Sequence, residues 1–148
     1  MDLKEQLTNA VKEAMKANDE QRKTTLRGVL AAIKQVEVDQ QTELEDNDIL
    51  GVLQKEVKSR NETIADSKKA NRPDLVSKAE AEIAILEEFL PKGLTDAELE
   101  AIVKETIAEV EAGSMADIGK VMGAIMPKIK GRADGAQVNQ MVRQLLQK

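Results

Sequence analysis

Neither cysteine nor histidine occurs anywhere in the 148 residues. Disulfides, Cys/His zinc sites, thiol nucleophiles and Ser-His-Asp triads are therefore beyond the chain's own side chains. Trp and Tyr are also missing, and Phe89 is the single aromatic residue. That removes the stacking rings with which RRM- and OB-type modules hold single-stranded bases, so any nucleic acid bound here must be read through shape and phosphates. No apolar run approaches the ~20 residues that a membrane span needs. The opening residues, Met1 to Leu7, carry acids and lack both the apolar core of a signal peptide and the Arg-rich, acid-poor character of a transit peptide. The expectation is a cytoplasmic protein with no membrane partner.

What is present suits a soluble core: 41% of residues are hydrophobic and 33% charged. The net charge of −5 argues against a globally basic nucleic-acid binder, but the charge is unevenly spread. Between Thr95 and Asp117 seven acids (Asp96, Glu98, Glu100, Glu105, Glu109, Glu111, Asp117) face one Lys104. From Ile118 onward six basic residues (Lys120, Lys128, Lys130, Arg132, Arg143, Lys148) face one Asp134.

Periodicity is helical throughout, which predicts an all-α fold. Leu3, Leu7, Val11 and Met15 recur at four-residue steps, and Leu26, Val29, Leu30, Ile33 and Val36 at three or four. A break near Asn18-Asp19 parts these two helices. A polar stretch from Asp39 to Asn47 precedes a third helix, carrying Ile49, Leu50, Leu53, Val57 and Ile64 and running to about Ala70. Pro73 suits the first turn of a fourth helix and Asp74 its positive end; Leu75, Val76, Ala79, Ile83, Leu86 and Leu90 form its stripe. "LPKG", Leu90 to Gly93, ends it. The domain boundary is placed there, giving an N-terminal helical domain over 1–93 and a three-helix bundle over 94–148. In the second part "TDAE" at Thr95 matches a capping box, and "SMAD" and "DGAQ" repeat its logic more weakly. The Met residues concentrated in the last third read as gap-fillers of a small core.

Motifs that carry chemistry are few. "GSMADIGK", Gly113 to Lys120, resembles a P-loop but has five residues between its glycines instead of four, and Val121 where a Mg²⁺-ligating hydroxyl belongs. Glu80/Glu82 and Glu87/Glu88 do not share a helix face. Ser67-Lys68 and Ser77-Lys78 lack a glycine-rich loop to supply an oxyanion hole. Lys23, Arg27 and Lys34, with Arg22 beside them, read as the charged surface of an amphipathic helix. No catalytic residue, cofactor or metal is expected.

The densest stretch is "GKVMGAIMPKIKGRADG", residues 119 to 135, with four of the chain's eight glycines. Gly119 and Gly123 stand one helical turn apart, where each costs ~1 kcal/mol relative to Ala. That pattern predicts close approach to the backbone, by a neighbouring helix of the bundle or by an RNA or protein surface. Gly131 and Asp134 are structural candidates, at a turn and at the cap of the last helix. Lys120, Lys128, Lys130 and Arg132, with Arg143 adding reach, are the candidate phosphate contacts.

"ANRPDLVSKAEAEIAILEEFLPKGLTDAELEAIV" and "MADIGKVMGAIMPKIKGRADGAQVNQMV", with "RKTTLRGVLAAIKQVE" before them, resemble the YqeY-like family. That family is similar to the C-terminal tail domain of the B subunit of glutamyl-tRNA/aspartyl-tRNA amidotransferase. The resemblance implies a helical N-terminal portion followed by a three-helix bundle, and a link to transamidation of mischarged tRNA. Its tail-like residues here are Gly119, Lys120, Val121, Met122, Lys128, Lys130, Gly131 and Asp134, and their basic members are implied to touch tRNA. The family is often labelled with carbon–nitrogen ligase activity using glutamine as amido donor, a label inherited from a complex whose catalytic parts this chain does not contain. Three expectations result. One is an accessory module that binds folded tRNA weakly and in a salt-sensitive way. Another is an interaction module docking on an aminoacyl-tRNA synthetase or an amidotransferase. A third is participation in glutamine-dependent amide transfer.

Overall fold

The computed structural model describes residues 2–147. Lys148 of the basic series lies outside them. Among the described residues the fold is all-α: seven α-helices, one short 3₁₀ turn and no strand. None of these helices is long and apolar enough to cross a membrane. Two compact units divide the chain, one ending at Pro91 and the other beginning at Lys92.

In the first unit, α1 (Leu3–Lys16) starts at Asp2, whose carboxylate accepts the Glu5 N–H at 2.8 Å. Leu3, Leu7 and Val11 are buried as their spacing predicts, but Met15 is 49% exposed and Ala14 is buried in its place. Four-residue steps advance about 40° each around a 3.6-residue helix, so the third step has left the buried face. Asn18 closes α1 in the left-handed region (φ 58°), and Asp19 caps α2 (Glu20–Gln40) by accepting the Arg22 N–H at 3.1 Å.

The predicted polar separator is shorter than expected. Helix α2 runs to Gln40, and α3 (Asp46–Lys69) starts from a capping box of Glu45 and Asp48. Asp48 accepts the Glu45 N–H at 3.1 Å, so residues that look like a loop by composition are a helix start by hydrogen bonding. Helix α4 (Pro73–Glu87) has Pro73 at its first position. It stops before Leu90, because Glu88, Phe89 and Leu90 donate three residues back, to Ile85, Leu86 and Glu87, in the tighter turn that leads into Pro91. Leu3, Leu7, Val11, Leu26, Val29, Ile33, Ile49, Leu53 and Leu86 make one core from all four helices.

Glu37 ties this unit together. Its carboxylate accepts Lys4 Nζ at 2.9 and 3.0 Å and the Leu44 N–H at 2.9 Å. The Lys4 hydrogen bond is the largest influence holding the Glu37 carboxyl below its ordinary range, and the same bond raises Lys4. A lowered acid stabilises the fold above its unfolded value of about 4.3 and loses that contribution as pH falls through the lower folded value. We expect the stability gap between wild type and Glu37→Gln, read from urea midpoints, to be constant at pH 6–7 and to shrink on acidification below about pH 4.5. A gap independent of pH would rule out the tie.

In the second unit, Thr95 caps α5 (Asp96–Glu109), its hydroxyl accepting the Glu98 N–H at 3.1 Å. A 3₁₀ turn (Met115–Asp117) runs directly into α6 (Ile118–Ile129), and Asp134 caps α7 (Gly135–Leu146) by accepting the Ala136 N–H at 3.1 Å. Helix α6 continues past Pro127; in the last turn that proline forfeits only the bond its N–H would give to the Gly123 carbonyl. Gly131 is buried with φ 83°, a conformation that favours glycine, and turns the chain from α6 toward α7. The core is Leu99, Val103, Val121, Ile125, Ile129, Val138, Val142 and Leu146, with Met115, Met122 and Met141 packed against it.

Candidate nucleic-acid interface

The inward stripe of α6 is Val121, Ile125 and Ile129, all buried. The opposite side therefore carries Gly119, Lys120, Gly123, Met126 and Pro127, and all five are exposed. A side chain built at Gly119 or at Gly123 would meet nothing within 4 Å. This corrects the expectation that a neighbouring helix packs on the two glycines. Apolar periodicity places Val121 and Ile125 inward, and on a 100° helix Gly119 and Gly123 then fall on the far side. They leave a bare strip of helix backbone facing outward, with Lys120 beside it. Among the described residues nothing pairs with Lys120.

The other predicted cations are engaged. Lys128, eight residues or about 12 Å along α6 from Lys120, donates to the Thr106 hydroxyl at 3.1 Å and to Glu109 at 2.7 Å. Lys130 follows the last turn of α6, is partly buried and has a partner of its own. Arg132 donates from Nε to the Lys92 carbonyl at 3.1 Å, while its own carbonyl accepts the Leu94 N–H at 3.0 Å. Arg143, in the last turn of α7, donates from Nε to Asn139 at 2.8 Å. Lys128, Lys130 and Arg132 thus gather at the α6–α7 turn, with Lys120 back along α6 and Arg143 on the later part of α7. Asp134 is spent on its cap.

"GSMADIGK" spans the 3₁₀ turn and the start of α6, and the Asp117 carboxylate accepts the Gly113 N–H at 2.9 Å. An acid stands where a phosphate would have to sit. Arg22 is held by Glu88 and lies over the Phe89 ring, 6.0 Å from its centre. Arg60 is clasped by Glu56 at 2.7 Å and Glu82 at 2.8 Å. Of these contacts only Glu56 with Arg60, four residues apart on α3, follows a local sequence pattern; Glu82 and Glu88 reach their arginines across 22 and 66 residues of chain. Sequence reasoning also misses a shallow depression of about 300 Å³ at the α3–α4 turn, lined by Lys68, Asn71, Arg72, Pro73, Val76 and Ser77. There Arg72 bonds Asp74 at 3.0 and 3.2 Å and holds its carboxyl below the ordinary range, so the start of α4 already has its anion. No group of three Asp or Glu side chains among the described residues is arranged to hold a metal ion.

These features define a small all-helical protein whose candidate site is an exposed helix face beside a basic turn. The chain belongs to the Yqey-like protein family, whose sequence profile matches residues 4–146. Among similar curated proteins, Altered inheritance of mitochondria protein 41, mitochondrial, from Pyrenophora tritici-repentis is 28% identical over 139 residues, covering 92% of this chain and 76% of that protein. Its namesake from Kluyveromyces lactis is 42% identical over 84 residues, 56% of this chain and 45% of that protein. The E subunit of glutamyl-tRNA(Gln) amidotransferase from Thermococcus sibiricus is 41% identical over 59 residues, 40% of this chain but 9% of that protein. The chain is thus related to an amidotransferase component through a stretch that makes up a small part of it.

The relatives overturn the expectation of a cytoplasmic protein, since several of them are named as mitochondrial proteins. The composition of a few opening residues does not settle a compartment.

Proposed function

We propose that this protein is an accessory module that binds folded tRNA through phosphate and shape contacts, on the outward face of α6 and the turn that follows it. The observation that carries the reading is the bare backbone at Gly119 and Gly123 beside Lys120, which has no partner among the described residues, with Lys128 in the last turn of the same helix and Lys130 and Arg132 in the turn after it. Folded RNA presents phosphates and 2′-hydroxyls over a broad surface, which suits a flat helix backbone fringed by cations and needs no aromatic stacking. The name of the T. sibiricus relative supports tRNA as the class of RNA. In this reading the chain supplies binding to a tRNA-charging or amidating enzyme, and the bond-making chemistry belongs to that enzyme.

The net charge of −5 keeps affinity weak. Titration with folded tRNA at two salt concentrations is expected to give a log–log slope of about −3, near one unit per phosphate neutralised. Lys120→Glu should weaken binding for all tRNAs alike and flatten that slope by about one. Equal binding by both proteins, or none by wild type, would sink the proposal. Co-purification of a synthetase or amidotransferase that survives nuclease and high salt would instead favour docking through the same face, where Met126 is 39% exposed.

A further inference from the structure

We infer that Glu109 sets the affinity of the basic turn that follows α6 by holding Lys128 back from the ligand, an inference that rests on the tRNA-binding reading above. The ammonium of Lys128 is seated between two acceptors on α5. Glu109 takes it at 2.7 Å and the Thr106 hydroxyl at 3.1 Å, while that hydroxyl donates in turn to the Ile102 carbonyl at 2.8 Å. Thr106 is fully buried, so its oxygen is a fixed point and the seat is built into the packing of α5 against α6.

Helix stability does not account for Glu109. It is the last residue of α5, the end at which a carboxylate is disfavoured by the helix dipole and a lysine or arginine would be favoured. Lys128, in the last turn of α6, is where the dipole wants a cation. The acid thus stands at an unfavourable helix end and pairs with Lys128 of the neighbouring helix. Both side chains reach solvent, with 34% and 50% of their surfaces exposed, so an arriving phosphate can compete for Lys128 without unfolding anything.

A ligand must therefore displace Glu109 to gain the Lys128 contact, and part of the surface's positive charge is held in reserve. An exposed ion pair of this kind is weak, so freeing the lysine is a matter of a few-fold in affinity. Glu109→Gln keeps a neutral partner of the same size and removes the negative charge, leaving the Thr106 hydroxyl as a neutral acceptor that a phosphate can outcompete.

The test measures folded-tRNA affinity at low salt for wild type, Glu109→Gln, Glu105→Gln and Lys128→Met, and for Glu109→Gln combined with Lys128→Met. Glu105 is an exposed acid of the same helix, so its variant changes net charge equally and leaves Lys128 alone. The expected result is two- to fivefold tighter binding by Glu109→Gln, a salt slope steeper by up to one unit, a smaller change for Glu105→Gln, and no gain once Lys128 is Met. Equal gains for the two glutamine variants, or a gain that persists without Lys128, would overturn the inference and leave the tRNA reading standing. Absence of binding by every variant would remove that reading, and this inference with it.

Discussion

Ile125→Ala is expected to destabilise the unit from Lys92 onward by about 3 kcal/mol, within the 2–5 kcal/mol range for truncating a buried aliphatic side chain. Ile125 has no exposed surface and lies mid-way along the inward stripe of α6, between Val121 and Ile129. The core it belongs to has only eight buried apolar residues, drawn from α5, α6 and α7. A core of that size rarely supplies more than about 3–5 kcal/mol in total. The substitution therefore removes most of the margin. Hydrogen exchange at the amides of Val103, Val121 and Val142 should rise by two orders of magnitude or more, since every 1.4 kcal/mol is tenfold in the opening equilibrium. Met126→Ala, one residue along and on the exposed side, should change the same rates by less than threefold. If both variants behaved alike, the inward and outward faces of α6 would have to be reassigned.

The contrast between those neighbours shows what the sequence can disclose. The three- and four-residue steps of Leu26, Val29 and Ile33 identify the buried face of α2 without any coordinates, and the step from Val121 to Ile125 points to that of α6. Met15 and Ala14 mark the limit of that reasoning. A strict four-residue series drifts around the helix, and alanine is too small to announce itself as a core residue.

The candidate site is legible in the sequence as a set of residues but not as a state. Lys120, Lys128, Lys130, Arg132 and Arg143 stand out by charge alone. That Lys128 is matched to Glu109 and that Arg132 holds the Lys92 carbonyl depends on contacts across 19 and 40 residues of chain, which no local pattern encodes. The glycine pair misleads for a related reason. Gly119 and Gly123 show where backbone is bare, and only the packing of α5 and α7 decides whether anything inside the protein covers it. Nothing does.

That bare strip yields the most discriminating expectation for function. Replacing Gly119 and Gly123 together by Gln should raise the stability of α6, because glutamine is a good helix former and each glycine costs about 0.8–1.0 kcal/mol in a helix interior. The gain is smaller at Gly119, in the first turn, and neither new side chain meets an obstacle within 4 Å. Binding of tRNA should nevertheless weaken by at least thirtyfold, because two long side chains would hold the RNA surface several ångströms off the helix backbone. The substitution adds no charge. Lys120 and the basic turn remain, so the residual binding should keep nearly the wild-type salt slope, whereas Lys120→Glu flattens it. Thermal denaturation and a two-salt titration of one protein preparation therefore separate contact with the backbone from attraction to the lysines. A more stable protein with unchanged affinity would show that the RNA does not lie on α6. Lower affinity with a flattened slope would show that the glutamines had disturbed the cations rather than blocked the strip.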